Sequence, residues 1–331
     1  MPQIPALNAV AALQSTSQLQ VSLALTDPAL LARLLELGRQ PSLNLCLKRL
    51  GWSETPLADL VTEGLEHGAG SELLIERVHL GNEFCERLLP TPVQLQTAQQ
   101  HARTLGVEIS LLTPLLTDSG SKRLRLLLDR LPPGAEVVVN DWGTLRLIRT
   151  EYPALEPLLG RLLYKMIKDP RLPSAQWTKL HPHSGRSKPF QRLLARFGVD
   201  HIEMDVPPFT QDEQFLVGDL GLSVHLPYGY VVKGRMCRIG SLGEHDSGKF
   251  IAAHACRKEC LDYVCRLERP QPTGAQQCAQ DLVGFQRGNT QFYRYSGPMQ
   301  AKLVEALKQG LIKRLVFAGD WNEHCCPHQS A

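Results

Sequence analysis

The chain has no run of about 18 consecutive apolar residues, so it offers no candidate for a membrane-spanning helix. It also lacks a dominant charge. Its 36 Lys+Arg against 33 Asp+Glu leave a formal net charge of +3 over 331 residues, too little to demand a nucleic-acid or membrane partner. Aromatic residues are sparse, at 6%. The opening Met-Pro-Gln-Ile-Pro-Ala lacks a basic segment followed by an apolar one, so no secretion signal is read there and the expected compartment is the cytoplasm. No sequence repeat of fixed short period is found. A hydrophobic content of 43% is ample for a substantial core and argues against global disorder.

Cysteine, by contrast, is plentiful: the chain has nine. In a reducing compartment such thiols serve as metal ligands or catalytic groups more often than as a disulfide framework. Cys46, inside Leu43-Asn44-Leu45-Cys46-Leu47, reads as a small buried hydrophobe. Cys256 and Cys260 do not, because they stand among Arg257, Lys258 and Glu259. The organising stretch runs from Cys237 to Cys260, with 18 residues between Cys237 and Cys256 and three between Cys256 and Cys260.

Elsewhere the pattern alternates between strands and helices. Residues 19–26 read as a strand, Asp27–Leu37 as a helix, Leu43–Leu50 as a second strand and Pro56–His67 as a helix. Gly68-Ala69-Gly70-Ser71 marks a boundary. Residues 1–70 are an N-terminal extension or the first strand–helix units, residues 71–320 a barrel-like domain, and residues 321–331 a mobile tail. Ile75–Phe84 reads as a strand leading to Cys85. Thr91-Pro92 opens a helix to Leu105, stopped by Gly106. Strands follow at Val107–Leu112, Glu136–Asn140, Val199–Met204, Leu222–Leu226 and Ile312–Phe317. Helices are read at Ser121–Leu131, after Asp141-Trp142-Gly143, between Gln211 and Val217, and at Met299–Lys308. This alternation predicts an α/β fold with a mostly parallel sheet and helices outside it, preferably a closed (β/α) TIM-type barrel with a cysteine-rich, cluster-binding region in the C-terminal half.

Residues 161–196 are strongly basic, with Arg161, Lys165, Lys168, Arg171, Lys179, Arg186, Lys188, Arg192 and Arg196 against a single acid, Asp169. Four prolines keep much of the segment non-helical in this reading. The expected role is a solvated loop; the functional readings are a basic lid over an anionic substrate or an RNA-docking surface, the latter without aromatics for base stacking. His181 and His183 lack further ligands nearby.

Cys256 and Cys260, at i and i+4, share a face if their stretch is helical. Cys265 is rotated away from them, and Cys278 could point either way. Spacing therefore favours Cys237, Cys256 and Cys260 and leaves the fourth ligand open. A three-residue gap suits zinc or an iron–sulfur cluster.

The run Leu80-Gly81-Asn82-Glu83-Phe84-Cys85, the later Asn140-Asp141-Trp142-Gly143, the Cys…Cys-x-x-x-Cys pattern and the stretch from Val283-Gly284-Phe285-Gln286 to Tyr295-Ser296-Gly297 resemble the UbiV-like branch of the collagenase-like peptidase superfamily. Motifs of the proteolytic branch are not evident. The resemblance implies a 4Fe-4S cluster held by Cys85, Cys237, Cys256 and Cys260. It also implies a homologous UbiU-like partner subunit, and oxygen-independent hydroxylation of a quinone precursor or related aromatic compound. RNA hydroxylation and a zinc-bound, non-enzymatic scaffold stand as alternatives. Glu83 and Asp141, each at a strand end, are the candidate acid–base groups, with helix capping or chain turning as their ordinary roles. Arg238 and Arg257 flank the ligands, and Cys325-Cys326 form a thiol-rich tail.

Overall fold

The computed structural model describes residues 19–52, 73–169, 175–176, 183–245, 247–248, 256–267 and 282–320. The helix read at Pro56–His67, the boundary at Gly68–Ser71, His181, Cys278 and the tail with Cys325 and Cys326 lie outside them.

Eight parallel strands close into a barrel with the order β1-β12-β7-β6-β5-β4-β3-β2. They are β1 (Gln20–Leu25), β2 (Arg77–Gly81), β3 (Glu108–Leu112), β4 (Glu136–Val139), β5 (Glu156–Leu159), β6 (His201–Met204), β7 (Gly221–Leu226) and β12 (Arg314–Ala318). Closure is made by β1, which pairs with β12 on one side and β2 on the other. The fold is thus the expected α/β TIM-type barrel. Around it stand α1 (Leu30–Leu34), α2 (Leu43–Arg49), α3 (Pro92–Leu105), α4 (Asp118–Leu128), α5 (Trp142–Glu151), α6 (Lys188–Arg196) and α7 (Gly297–Lys308). Among the described residues no helix is long and apolar enough to cross a membrane.

The strands alternate in a way that explains both layers. Leu23, Leu25, Val78, Leu80, Ile202, Met204, Val224 and Leu226 belong to the large core shared with residues of the surrounding helices, such as Leu31, Leu95, Leu145 and Leu303. The residues between them include Ser22, His79, Glu203, Ser223 and His225, all buried and polar. Since side chains on a strand point alternately to opposite faces, these fill the barrel interior. On one side of that interior Leu112, Val138 and Leu158 form a separate apolar cluster.

Two sequence expectations are corrected. The stretch Leu43–Leu50 is not a strand: Leu43–Arg49 is helical, entered from an extended Ser42. Leu43, Cys46, Leu47 and Leu50 are buried while Leu45 is 47% exposed, a spacing of three and four residues that outweighs the apparent alternation. The basic segment is likewise not one solvated loop. Arg161 and Lys168 are buried, and Lys188–Arg196 forms α6 with Pro189 in its first turn, where proline costs no hydrogen bond.

A second sheet was not read from the sequence. It is antiparallel, in the order β8-β11-β10-β9, and comprises β8 (Tyr228–Lys233), β9 (Cys265–Leu267), β10 (Gly284–Arg287) and β11 (Thr290–Arg294). It caps the C-terminal mouth of the barrel. Tyr230, Phe285 and Phe292 pack with Phe84 and Leu162, the Tyr293 hydroxyl donates to Val206 O at 2.7 Å, and that of Tyr295 donates to His225 O at 2.8 Å.

Candidate functional site

A cavity of about 120 Å³ opens between the barrel mouth and this cap. Its lining includes Glu83, Arg161 and His225 at the barrel end and Cys85, Cys237, Cys256 and Cys260 at the cap. In closed α/β barrels this C-terminal end is where sites are built.

Each thiol is positioned by local chemistry. β2 ends at Gly81, whose φ of +119° and whose missing Cβ, which would stand 2.7 Å from Leu112 O, require glycine. Beyond it, the Asn82 carboxamide oxygen accepts from the backbone N–H of Phe84 and of Cys85, both at 2.9 Å, a side-chain turn that swings Cys85 over the mouth. Cys237 sits in the loop after β8, where Gly240 N–H donates to its Sγ at 3.3 Å. Cys256 receives Lys258 N–H at 3.3 Å, and Cys260 lies in the short turn Glu259–Leu261. That turn is not the α-helix that would have put Cys256 and Cys260 on one face.

The tight β10–β11 turn joins these segments. Asn289 Nδ2 donates to Phe84 O at 2.9 Å and to Gly234 O at 3.0 Å, bridging the Cys85 arm and the strand end before Cys237. Arg238 N–H donates to Gly288 O at 3.1 Å. Arg287 Nε donates to Cys260 O at 3.0 Å, and its guanidinium meets Asp320, which holds the end of β1 through Thr26 N–H at 2.6 Å. Gly288 has φ +57°, and a Cβ there would lie 3.5 Å from Cys260 Sγ and 4.0 Å from Cys237 Sγ. The positive φ favours glycine here, and the turn lies in van der Waals reach of both thiols.

The sulfurs are close enough to interact: Cys85 feels the charge of Cys256, Cys237 that of Cys256 and Cys85, and Cys260 that of all three others. Burial pushes the Cys260 thiol up to about 12 and also raises Cys85 and Cys237. Without a cation these thiols stay protonated. Arg287 beside Cys260 and Lys233 near Cys85 oppose that effect. Four soft donors with N–H bonds to sulfur match the preferences of zinc and of iron–sulfur clusters. Cys265 packs behind them without lining the cavity.

Beneath the thiols lies a buried charge network. Glu83, 3% exposed, takes Arg161 through Nε at 2.9 Å and Nη2 at 2.6 Å. Arg161 Nη1 reaches Asp205 at 2.6 Å, and Lys168 Nζ meets the other Asp205 oxygen at 2.7 Å. Burial favours the neutral form of Arg161, but Glu83 and Asp205 outweigh it and keep the guanidinium charged. Burial lowers Lys168 to about 8 despite Asp205. Deeper still, Glu203 bridges two histidines, with His79 Nε2 at 2.9 Å and His225 Nε2 at 2.8 Å.

Of the two acid–base candidates, Glu83 lines the cavity, paired with Arg161. Asp141 caps α5, accepting from Gly143 N–H at 2.8 Å, and is not a lining residue. Arg238 and Arg257 do not line the cavity either; Arg87, Arg235 and Arg287 do. His79, Glu203 and His225 escaped the sequence reading. Their signal was available in Arg77-Val78-His79-Leu80, His201-Ile202-Glu203-Met204 and Ser223-Val224-His225-Leu226, where ionisable residues alternate with aliphatics inside strands.

The class defined by fold and site is a parallel α/β barrel with a four-thiol group over its C-terminal mouth. Against models of protein families, curated proteins and solved structures, the chain finds no match.

Proposed function

We propose that Cys85, Cys237, Cys256 and Cys260 hold a 4Fe-4S cluster over the barrel mouth. The cavity below it receives a small aromatic ligand. The observation that carries this reading is the convergence of four thiols, from three separate stretches of chain, on the cavity that also holds the barrel's buried charges. A cluster so bound supplies electron transfer, or a reactive iron if one ligand is labile.

Spacing favours a cluster over a single zinc ion. Among the described residues no three thiols lie within 4.8 Å of one another, whereas bonds of about 2.3 Å to one tetrahedral zinc would hold sulfurs about 3.8 Å apart. The walls of the cavity, with Phe84, Leu112, Leu226, Tyr228 and Phe292, suit an aromatic ring. Together with the family resemblance, this supports oxygen-independent hydroxylation of a quinone precursor or related compound, acting with a homologous UbiU-like subunit. The RNA reading is weakened, because Arg161 and Lys168 are engaged inside the barrel.

The test is anaerobic purification with assay of visible absorption, iron, sulfide and zinc. The wild-type protein is expected to be brown, with about four irons. Cys85→Ala should lose the iron and Cys265→Ala should keep it. Colourless wild-type protein with stoichiometric zinc would overturn the cluster reading and leave a zinc-bound scaffold.

A further inference from the structure

We propose that His225, oriented by Glu203, is the proton acceptor and donor of the cavity. This rests on the cavity being the working site, though not on which metal the thiols hold. His225 Nε2 lies 2.8 Å from Glu203 Oε2, while His79 Nε2 lies 2.9 Å from Oε1. All three are buried in the barrel interior, and of the three only His225 lines the cavity.

The hydrogen-bond pattern assigns the protons. Burial opposes charge on Glu203, but the two rings bonded to it hold it well below the carboxylate range, so it is an acceptor on both oxygens. Each histidine therefore donates from Nε2. His79 Nδ1 is buried with no partner, which makes that ring neutral, and burial lowers its basicity further. His79 is the closed inner end. His225 lines the cavity with its Nε2 taken by Glu203, which leaves Nδ1 as the ring nitrogen to exchange a proton there.

The charged groups around the ring are Glu203 on its Nε2, the Glu83–Arg161–Asp205–Lys168 network beneath the cavity, and Arg87, Arg235, Arg287 and Asp320 on the cavity walls. A proton leaving an O–H or C–H bond of the ligand goes to His225 Nδ1, and the electron pair of that bond stays on the ligand. Glu83, Glu203 and His225 bring ligand atoms within 4.8 Å of one another, but Arg161 already takes both oxygens of Glu83. The group is therefore a proton site rather than a cation site.

The test is carbethoxylation of the full-length, anaerobically purified protein with diethyl pyrocarbonate over about pH 5 to 9, read by peptide mass spectrometry. His225 should be modified and His79 should be protected, and the rate of His225 modification should change in Glu203→Gln, which alters the group that fixes its Nε2. An unreactive His225, or an unchanged rate in Glu203→Gln, would overturn the proposal. Imidazole nitrogen NMR of the wild-type protein needs no substitution. Both rings carrying a proton on Nε2 upholds the assignment, and His225 protonated on Nδ1 alone refutes it.

Discussion

Both ends of the barrel bury charge, and they do so differently. At the N-terminal end Arg314 is gripped by Glu136, through Nη1 and Nη2 at 2.8 Å each, and by Gln20 at 2.8 and 3.0 Å. Arg77 and Ser110 complete the set, the hydroxyl donating to Glu136 at 2.6 Å. With Glu108 on Arg77, two acids match two bases there. At the C-terminal mouth the buried Glu83–Arg161–Asp205–Lys168 network lies beside a cavity that Cys85, Cys237, Cys256 and Cys260 also line. The first arrangement closes on itself, and the second faces an open cavity at the barrel end where sites are commonly built.

The sharpest break of this contrast is Arg161→Ala. It leaves Glu83 and Asp205 buried without their shared cation, and should cost about 3–5 kcal/mol in denaturant unfolding. A cost below about 1 kcal/mol would mean that the mouth network is far wetter than its burial implies.

At the other end the effect is pH-dependent. Burial alone would raise Glu136, but the Arg314 hydrogen bonds and charge hold it down to about 2 from the usual 4.5. A depressed carboxylate adds stability that is fully present above its unfolded value. Roughly 3 kcal/mol should therefore be lost as the pH falls from 4.5 toward 2, and Glu136→Gln should flatten that loss. His201, which burial lowers to about 4, adds a separate loss as the pH falls from its ordinary 6.5 toward that value.

The smallest change in stability is expected for Gly288→Ala, about 1 kcal/mol for a side chain at positive φ. Its larger consequence is at the sulfurs. The added methyl would stand 3.3 Å from Cys260 Cβ, and metal content measured with the fold intact should drop. Unchanged metal content would show that the β10–β11 turn does not shape the thiol group.

Much of this architecture was written locally. Thr91, Pro92 and Gly106 bound α3 with a capping box and a left-handed stop, because caps and glycine act on neighbouring residues. The aliphatic runs of seven of the eight barrel strands were equally plain, whereas β5, only four residues long with Pro157 inside it, was not read. Leu43–Leu50 misled because an eight-residue apolar segment satisfies two periods at once, and packing against the helical layer chose between them. The second sheet was not read because the pairing that completes it joins segments far apart in the chain, as with Thr290 opposite Lys233.

The site divides along the same line. The sequence by itself determined that Cys237, Cys256 and Cys260 belong together, since spacing is a local property, and it placed Glu83 and Cys85 at the end of a strand. Only the tertiary structure decided that Cys85 joins them, that Arg161 turns inward to Glu83, and that His79 and His225 meet across Glu203. Those contacts span 22 to 124 residues. They depend on barrel closure and register, which set the residues that face one another across the interior and cannot be computed from any one segment.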